Sequence, residues 1–343
     1  MKSRFVGVAV LLWFLPGGAL ADQGNSFPMD QFTTKENAKA GFLLKRQTDK
    51  KQAEWLQYKK GVSRALGPIQ VQKMSGGSSP GVEVTSQMSS LSFDFPNKAI
   101  KTTTRFQIKN ISTSGDLSSV YFYLSGKMMS GNTSFSDSEG PLFAGDQGYD
   151  LWFVYLRKPI DKGETAEITV DQQGVPNCQT QFLDLIVCAV DPNLSFSVNS
   201  SWQPVVYDIE AQDFVYPESL TFEIVLPNHM DAATNAIFIE KKDNPDGTKT
   251  LRFEENKVGY VAFSAGPFVV GSTPWGTGKE AKSYLLPGFA MFASDWRDKT
   301  IDIMLFFEKH YGPYTPQTVG FAQIPDEAGA GYGVFKNVFI PGA

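Results

Sequence analysis

From Leu91 to Phe268 the apolar positions fall in short alternating runs, the period of a pleated strand with one buried face. Leu91-Ser92-Phe93-Asp94-Phe95 alternates strictly. Thr102–Ile108, Val120–Leu124, Leu151–Leu156 and Ala166–Val170 continue the series. Leu183–Val190, Leu220–Val225, Ala236–Glu240, Lys249–Phe253 and Val258–Phe263 complete it. Asp161-Lys162-Gly163 reads as a turn, and Asp246-Gly247 as the turn of a hairpin. Many short strands separated by Gly, Pro, Asn and Ser predict a mainly β chain whose centre is an antiparallel β-sandwich.

The helical period appears at the two ends. Thr33 and Glu36 fit a capping box, and Trp55, Tyr58, Val62 and Leu66 share one helix face among many lysines. Gly67-Pro68 is a stop signal, so one long helix is expected, or two broken near Thr48-Asp49. Such a segment can lie on a membrane surface, hold a partner, or pack on the domain that follows. Met74–Gly81 is a Ser/Gly linker. Near the other end, Trp296–His310 carries apolar residues at 301, 304, 305 and 307 and stops at Gly312-Pro313. Strands are expected at Thr318–Ile324 and Val334–Ile340, on either side of a Gly-rich loop.

The first 21 residues have the form of a secretory signal: Lys2 and Arg4, an apolar run from Phe5 to Leu15, and Ala19-Leu20-Ala21 as the cleavage site. An uncleaved anchor is the alternative. No later stretch reaches 18 apolar residues, so no integral membrane segment is expected after cleavage, and the product is exported, periplasmic or extracellular. Without Lys2 and Arg4 the chain has 29 basic against 36 acidic residues, a net charge of −7. With no basic stripe, nucleic acid is an unsuited partner. The expected organisation is a signal peptide at 1–21, a helical segment and linker at 22–75, a β-sandwich at 76–275 and an α+β segment at 276–343.

Cys178 and Cys188 are the two cysteines. After a secretion signal a disulfide is permitted, and nine intervening residues suit a hairpin cross-link; free thiols remain open. A metal site there would lack histidines, because His229 and His310 are far from both cysteines in sequence.

Several segments resemble one family in order. Lys98–Leu124, Leu156–Val170, Trp202-Gln203-Pro204 and Leu220–Pro227 are similar to successive strands of the N-terminal domain of the aminopeptidase N-like zinc metallopeptidases. Lys257–Phe268 looks like the strand that closes that domain. Phe306-Phe307 and Tyr311-Gly312-Pro313-Tyr314 resemble the FxxxFGPYPY segment that opens the catalytic domain. The resemblance implies that 76–275 corresponds to the family's N-terminal sandwich, and 276–343 to the incomplete beginning of a thermolysin-like catalytic domain.

Two departures bear on function. The tail reads Thr315-Pro316 where the family often continues with Pro and Tyr. No Met-Glu-Asn follows the Gly-rich loop, and Glu327 precedes the glycines, so that motif's grip on a substrate amino terminus does not transfer. The backbone of the loop, Gly329, Gly331, Tyr332 and Gly333, is the candidate substrate-binding element, as an edge that pairs with an extended peptide. A plain flexible loop is the alternative.

A zincin needs two histidines at i and i+4, a carboxylate between them and a third ligand downstream. His229 lies in a turn after Pro227, and His310 has no histidine four residues away. No catalytic residue and no metal ligand is therefore assigned within the chain, and zinc is expected only in a full-length relative. Gly77-Ser78-Ser79-Pro80-Gly81 matches GxSxG but sits in a linker, without the strand and helix that a nucleophile elbow requires. The expectation is the N-terminal portion of an exported zinc aminopeptidase-like protein, inactive as given, with a peptide as the substrate of the intact protein. There the resemblance implies hydrolysis by a metal-bound water. A non-catalytic secreted β-sandwich that binds a partner or serves as a scaffold is the rival.

Overall fold

The computed structural model describes residues 81–341, apart from 125–129, 147–149, 177, 179–186, 199–201, 257–260, 315, 326–327, 329–331 and 335–336. The signal-like segment, the 22–75 helical reading with its face at Trp55, Tyr58, Val62 and Leu66, and the GxSxG match up to Pro80 lie outside the described residues.

The largest sheet has eight strands. Their order is β15 (Ile237–Asp243), β16 (Thr248–Glu255), β13 (Ser219–Pro227), β1 (Val82–Asp94), β2 (Ala99–Asn110), β8 (Thr165–Val175), β4 (Ser130–Asp137) and β5 (Gly140–Pro141). Its neighbours are antiparallel except for β1 and β13, which run parallel with Leu91 opposite Ile224. The alternating sequences place one side chain in two on the covered face. On β13, Leu220, Phe222, Ile224 and Leu226 are buried, while the residues between them are half-buried. The Asp246-Gly247 turn links β15 to β16, with Gly247 at φ +81°, where a glycine avoids the Cβ penalty.

Two smaller sheets cover this face. One has five strands, in the order β12 (Asp213–Val215), β11 (Val205–Asp208), β3 (Leu117–Tyr123), β7 (Leu151–Ile160) and β6 (Ala144–Asp146). Phe106, Phe122, Phe135 and Val154 fill the core between them. The other has four strands, in the order β14 (Asp231–Thr234), β17 (Phe263–Gly266), β10 (Ser195–Ser197) and β9 (Cys188–Ala189). Trp202, within the Trp-Gln-Pro segment singled out above, lies between Phe222 and Phe263, at 5.2 and 5.9 Å between ring centres. Gln203 Oε1 accepts the Val261 amide at 2.9 Å. Burying a side chain such as Phe222 or Leu226 contributes roughly 1.5–3 kcal/mol each.

The exposed side of the five-stranded sheet is aromatic rather than polar. Phe214, Tyr207, Tyr121 and Phe153 lie opposite one another across four strands. Phe143 and Tyr155 extend the patch and are 69% and 51% exposed.

A fourth sheet holds the tail. Its order is β18 (Val269–Trp275), β19 (Lys279–Leu285), β20 (Thr318–Ile324), β22 (Asn337–Pro341) and β21 (Tyr332–Val334). The β18–β19 hairpin straddles residue 276, so this sheet begins at Val269. A short 3-10 turn, Pro287–Phe292, leads into helix α1 (Ala293–Tyr311), which connects β19 to its parallel neighbour β20. The four-stranded sheet is thus a middle layer. Phe263 and Ala265 face the large sheet, whereas Phe196, Ala233 and Ala262 pack with Ala322, Ile324 and Ala328 of the tail. Ser264 donates to the Gln323 carbonyl at 2.6 Å, and Gln323 Oε1 accepts the Leu286 amide at 3.1 Å.

Candidate functional site

The site expected from sequence lies on the tail sheet, and α1 positions that sheet. Ala293 and Met304 of α1 are buried, and Trp296 and Ile301 are half-buried, against Trp275, Ala281, Val319 and Phe321. Leu305 departs from the predicted apolar stripe: it is 48% exposed, because one helical step from Met304 turns it by 100° away from the sheet. Arg297 ties the helix to the hairpin, its Nε donating to Thr273 Oγ1 and its Nη1 to Ser283 Oγ, both at 2.8 Å. The guanidinium lies over Gly271, where a Cβ would occupy its space.

The helix ends where Gly312-Pro313 predicts. Gly312 has φ +95° and donates to the Glu308 carbonyl. Glu308 sits in the last turn, where the helix dipole favours a cation. It is held there by an ion pair with Lys279 and by the Tyr314 amide at 2.9 Å. These two partners, Lys279 first, hold its carboxyl below the usual 4.5. Tyr314 stacks on Trp275 at 6.3 Å, and burial pushes its phenol up to about 12. The Tyr-Gly-Pro-Tyr segment thus turns the chain back onto the sheet and starts β20. Lys279, Arg297 and Gly271 were not singled out from sequence. An acidic residue in a helix's last turn was the readable signal of such a clamp.

Beyond β20 the Ala328 amide donates to the Pro325 carbonyl, and the chain enters the Gly-rich loop. Gly329 and Gly331 lie outside the described residues. Tyr332 and Gly333 belong to β21, where they are opposite Phe339 and Val338 of β22. Among the described strands β21 is one of the two edges of its sheet, opposite β18, with β22 as its one partner. The outer backbone edge of such a strand can pair with an extended chain.

Zinc is the cofactor that the resemblance implies, and the donor set here does not fit it. His229 and His310 lie on separate elements, and Cys178 and Cys188 are bonded to each other, with Cα atoms 4.7 Å apart. Among the described residues no three His, Cys, Asp or Glu side chains gather around one point. No step through a metal is derived for these residues. His310 instead packs at a tilt against the Phe306 ring, with 4.4 Å between ring centres.

No protein-family profile matches the chain, and no curated protein is similar to it. Solved structures are. A mutant two-domain M1 zinc metallopeptidase bound to L-arginine superposes with a TM-score of 0.55 at 15% identity, over 76% of this chain and 60% of that one. A mutant M1 zinc metallopeptidase from Deinococcus radiodurans gives 0.54 at 16% identity, again over 76% and 60%. The unmutated enzyme from that organism gives 0.53, over 73% and 58%. The fold is that of M1 zinc metallopeptidases. At this identity the likeness shows the fold alone, and the chain spans about 60% of the length of the M1 structures it matches. Within this M1-type fold the ordered segments noted in the sequence are β2–β3, β7–β8, Trp202 with β11, β13 and the β17 region.

Proposed function

We propose that this chain is the N-terminal portion of an exported zinc aminopeptidase-like protein that hydrolyses peptides from the amino end when intact. The observation that carries the reading is the M1-type fold, continued through α1 to the edge strand β21. In this reading the metal ligands lie outside the described residues, and the chain as given is inactive. Tyr332 and Gly333, with Gly329 and Gly331 before them, supply backbone pairing for an extended peptide. The signal-like first 21 residues and the Cys178–Cys188 disulfide support export to the periplasm or the extracellular space.

The test uses the chain purified after signal removal, residues 22–343. Zinc well below one ion per chain and no turnover of an aminoacyl reporter are expected. One tightly held zinc per chain with turnover would overturn the assignment of the metal site to another part of the protein. Peptide pairing is read separately, as amide shifts of Tyr332 and Gly333 on titrating an extended tripeptide.

The second reading is a non-catalytic sandwich that binds a partner. The exposed aromatic patch of Phe143, Tyr155 and Phe214 favours it, since monomeric proteins rarely leave such surface uncovered. An intact gene product without zinc or peptidase activity would select it.

A further inference from the structure

The Cys178–Cys188 bridge lies at the joint between two layers rather than within one. Strand β9 is two residues long, and among the described strands it pairs only with β10, Ser197 opposite Cys188 and Phe196 opposite Ala189. So short a strand has little pairing of its own to hold it. Two backbone bonds flank it: the Val187 amide donates to the Cys178 carbonyl at 2.9 Å, and the Val198 amide to the Val187 carbonyl at 3.0 Å. Val187 and Cys188 are buried in the cluster that also takes Ala322, Ile324 and Ala328 from the tail. The seat of β20 is therefore built partly from residues that the disulfide holds in place.

The two sulfurs are not equally placed. Cys188 is 4% exposed, whereas Cys178 is half-buried. Both residues line a groove of ≈ 540 Å³, together with Lys98, Pro176, Leu194 and Pro325. Pro325 directly follows β20, so the groove runs along the joint.

We propose that the Cys178–Cys188 disulfide is a redox-sensitive latch between the sandwich and the tail sheet, opened by a dithiol reductant that attacks the Cys178 sulfur. The reductant's thiolate forms a mixed disulfide with Cys178 while the sulfur of Cys188 leaves and takes a proton. The second thiol of the reductant then displaces Cys178. The protein gains two electrons and two protons, and the dithiol becomes a disulfide. Freed from its cross-link, β9 loses its anchor, and the apolar seat of Ala322 and Ile324 opens.

Hydrogen exchange on residues 22–343 tests this, with the oxidised chain, the same chain reduced by dithiothreitol at neutral pH, and a Cys178→Ser/Cys188→Ser variant. Reduction is expected to raise exchange across 318–324 at least tenfold while 99–110 in the large sheet is unchanged, and the double variant to match the reduced chain. Equal loss of protection in both segments would make the bridge a general stabiliser and overturn the latch. Unchanged exchange at 318–324 would overturn it as well. Should the variant fail to fold, the reduced wild-type chain alone decides between these outcomes.

Discussion

Gly145 and Gly271 are glycines because neighbours fill the space that a methyl group would take: the Phe153 ring at the first, the Arg297 guanidinium at the second. Gly145→Ala is expected to cost about 0.5–1.5 kcal/mol, because the far end of the half-buried Phe153 ring must move off its rotamer. A urea midpoint equal to the parent's would contradict the close contact. The titratable groups set limits at both ends of the pH scale. Burial first, with Glu280 and Asp231 nearby, pushes the Tyr284 phenol up to about 12. The unfolded phenol releases its proton near its ordinary 10.0 and the folded one does not, so stability falls as pH rises from about 10 to about 12. Tyr284→Phe is expected to flatten that decline, as seen in urea midpoints measured across the range. Glu308 acts with the opposite sign: its depressed pKa stabilises the fold above 4.5, and that contribution is lost as pH falls through the folded value.

The strands that could be read from sequence are those with one covered face. On β1, β2, β13 and β16 alternation puts Leu91, Phe106, Phe222 and Phe253 in the core, and the pattern predicts both the strand and its inward face. Strands without that contrast were missed or displaced. β4 reads SGNTSFSD, with Phe135 as its buried apolar side chain. β17 reads FSAG and is buried on both faces as a middle layer, so alternation around it carries no signal; it runs Phe263–Gly266, Val261 and Ala262 before it are not strand, and 258–260 of the expected strand lie outside the described residues. Of the expected strand Leu183–Val190, Cys188–Ala189 is strand, and 183–186 lie outside the described residues. The β18–β19 hairpin, with Pro274 and Gly271 in one strand and alternating charge in the other, did not read as strand. The parallel β1–β13 pairing is likewise not written in two alternating sequences. In α1 the period gave the helix but misplaced Leu305. Met304→Ala is therefore expected to cost about 2–5 kcal/mol and Leu305→Ala less than about 0.5 kcal/mol. Equal costs in chemical denaturation would mean that the helix lies the other way round.

At the scale of the whole molecule, a sandwich with two cores carries a tail sheet whose layers are unequally covered. One face rests on the four-stranded sheet and the other on α1, whose own outer side leaves Phe306 and Tyr311 49% and 55% exposed. The tail from about residue 276 is therefore expected to exchange amide protons faster than β1 and β2. Uniform protection across both would contradict that order of stability. Of the candidate site, the sequence signals led to the helix stop and the edge strand. They did not supply the Glu308 clamp, which joins residues far apart in the chain. The M1-type fold supports the reading proposed above, in which this chain is the N-terminal portion of a zinc aminopeptidase-like protein and the same gene encodes the catalytic residues. The most direct measurement is the encoding DNA read in frame past the codon for Ala343. A continuation that carries HExxH is predicted, whereas a verified stop codon immediately after Ala343 would contradict it.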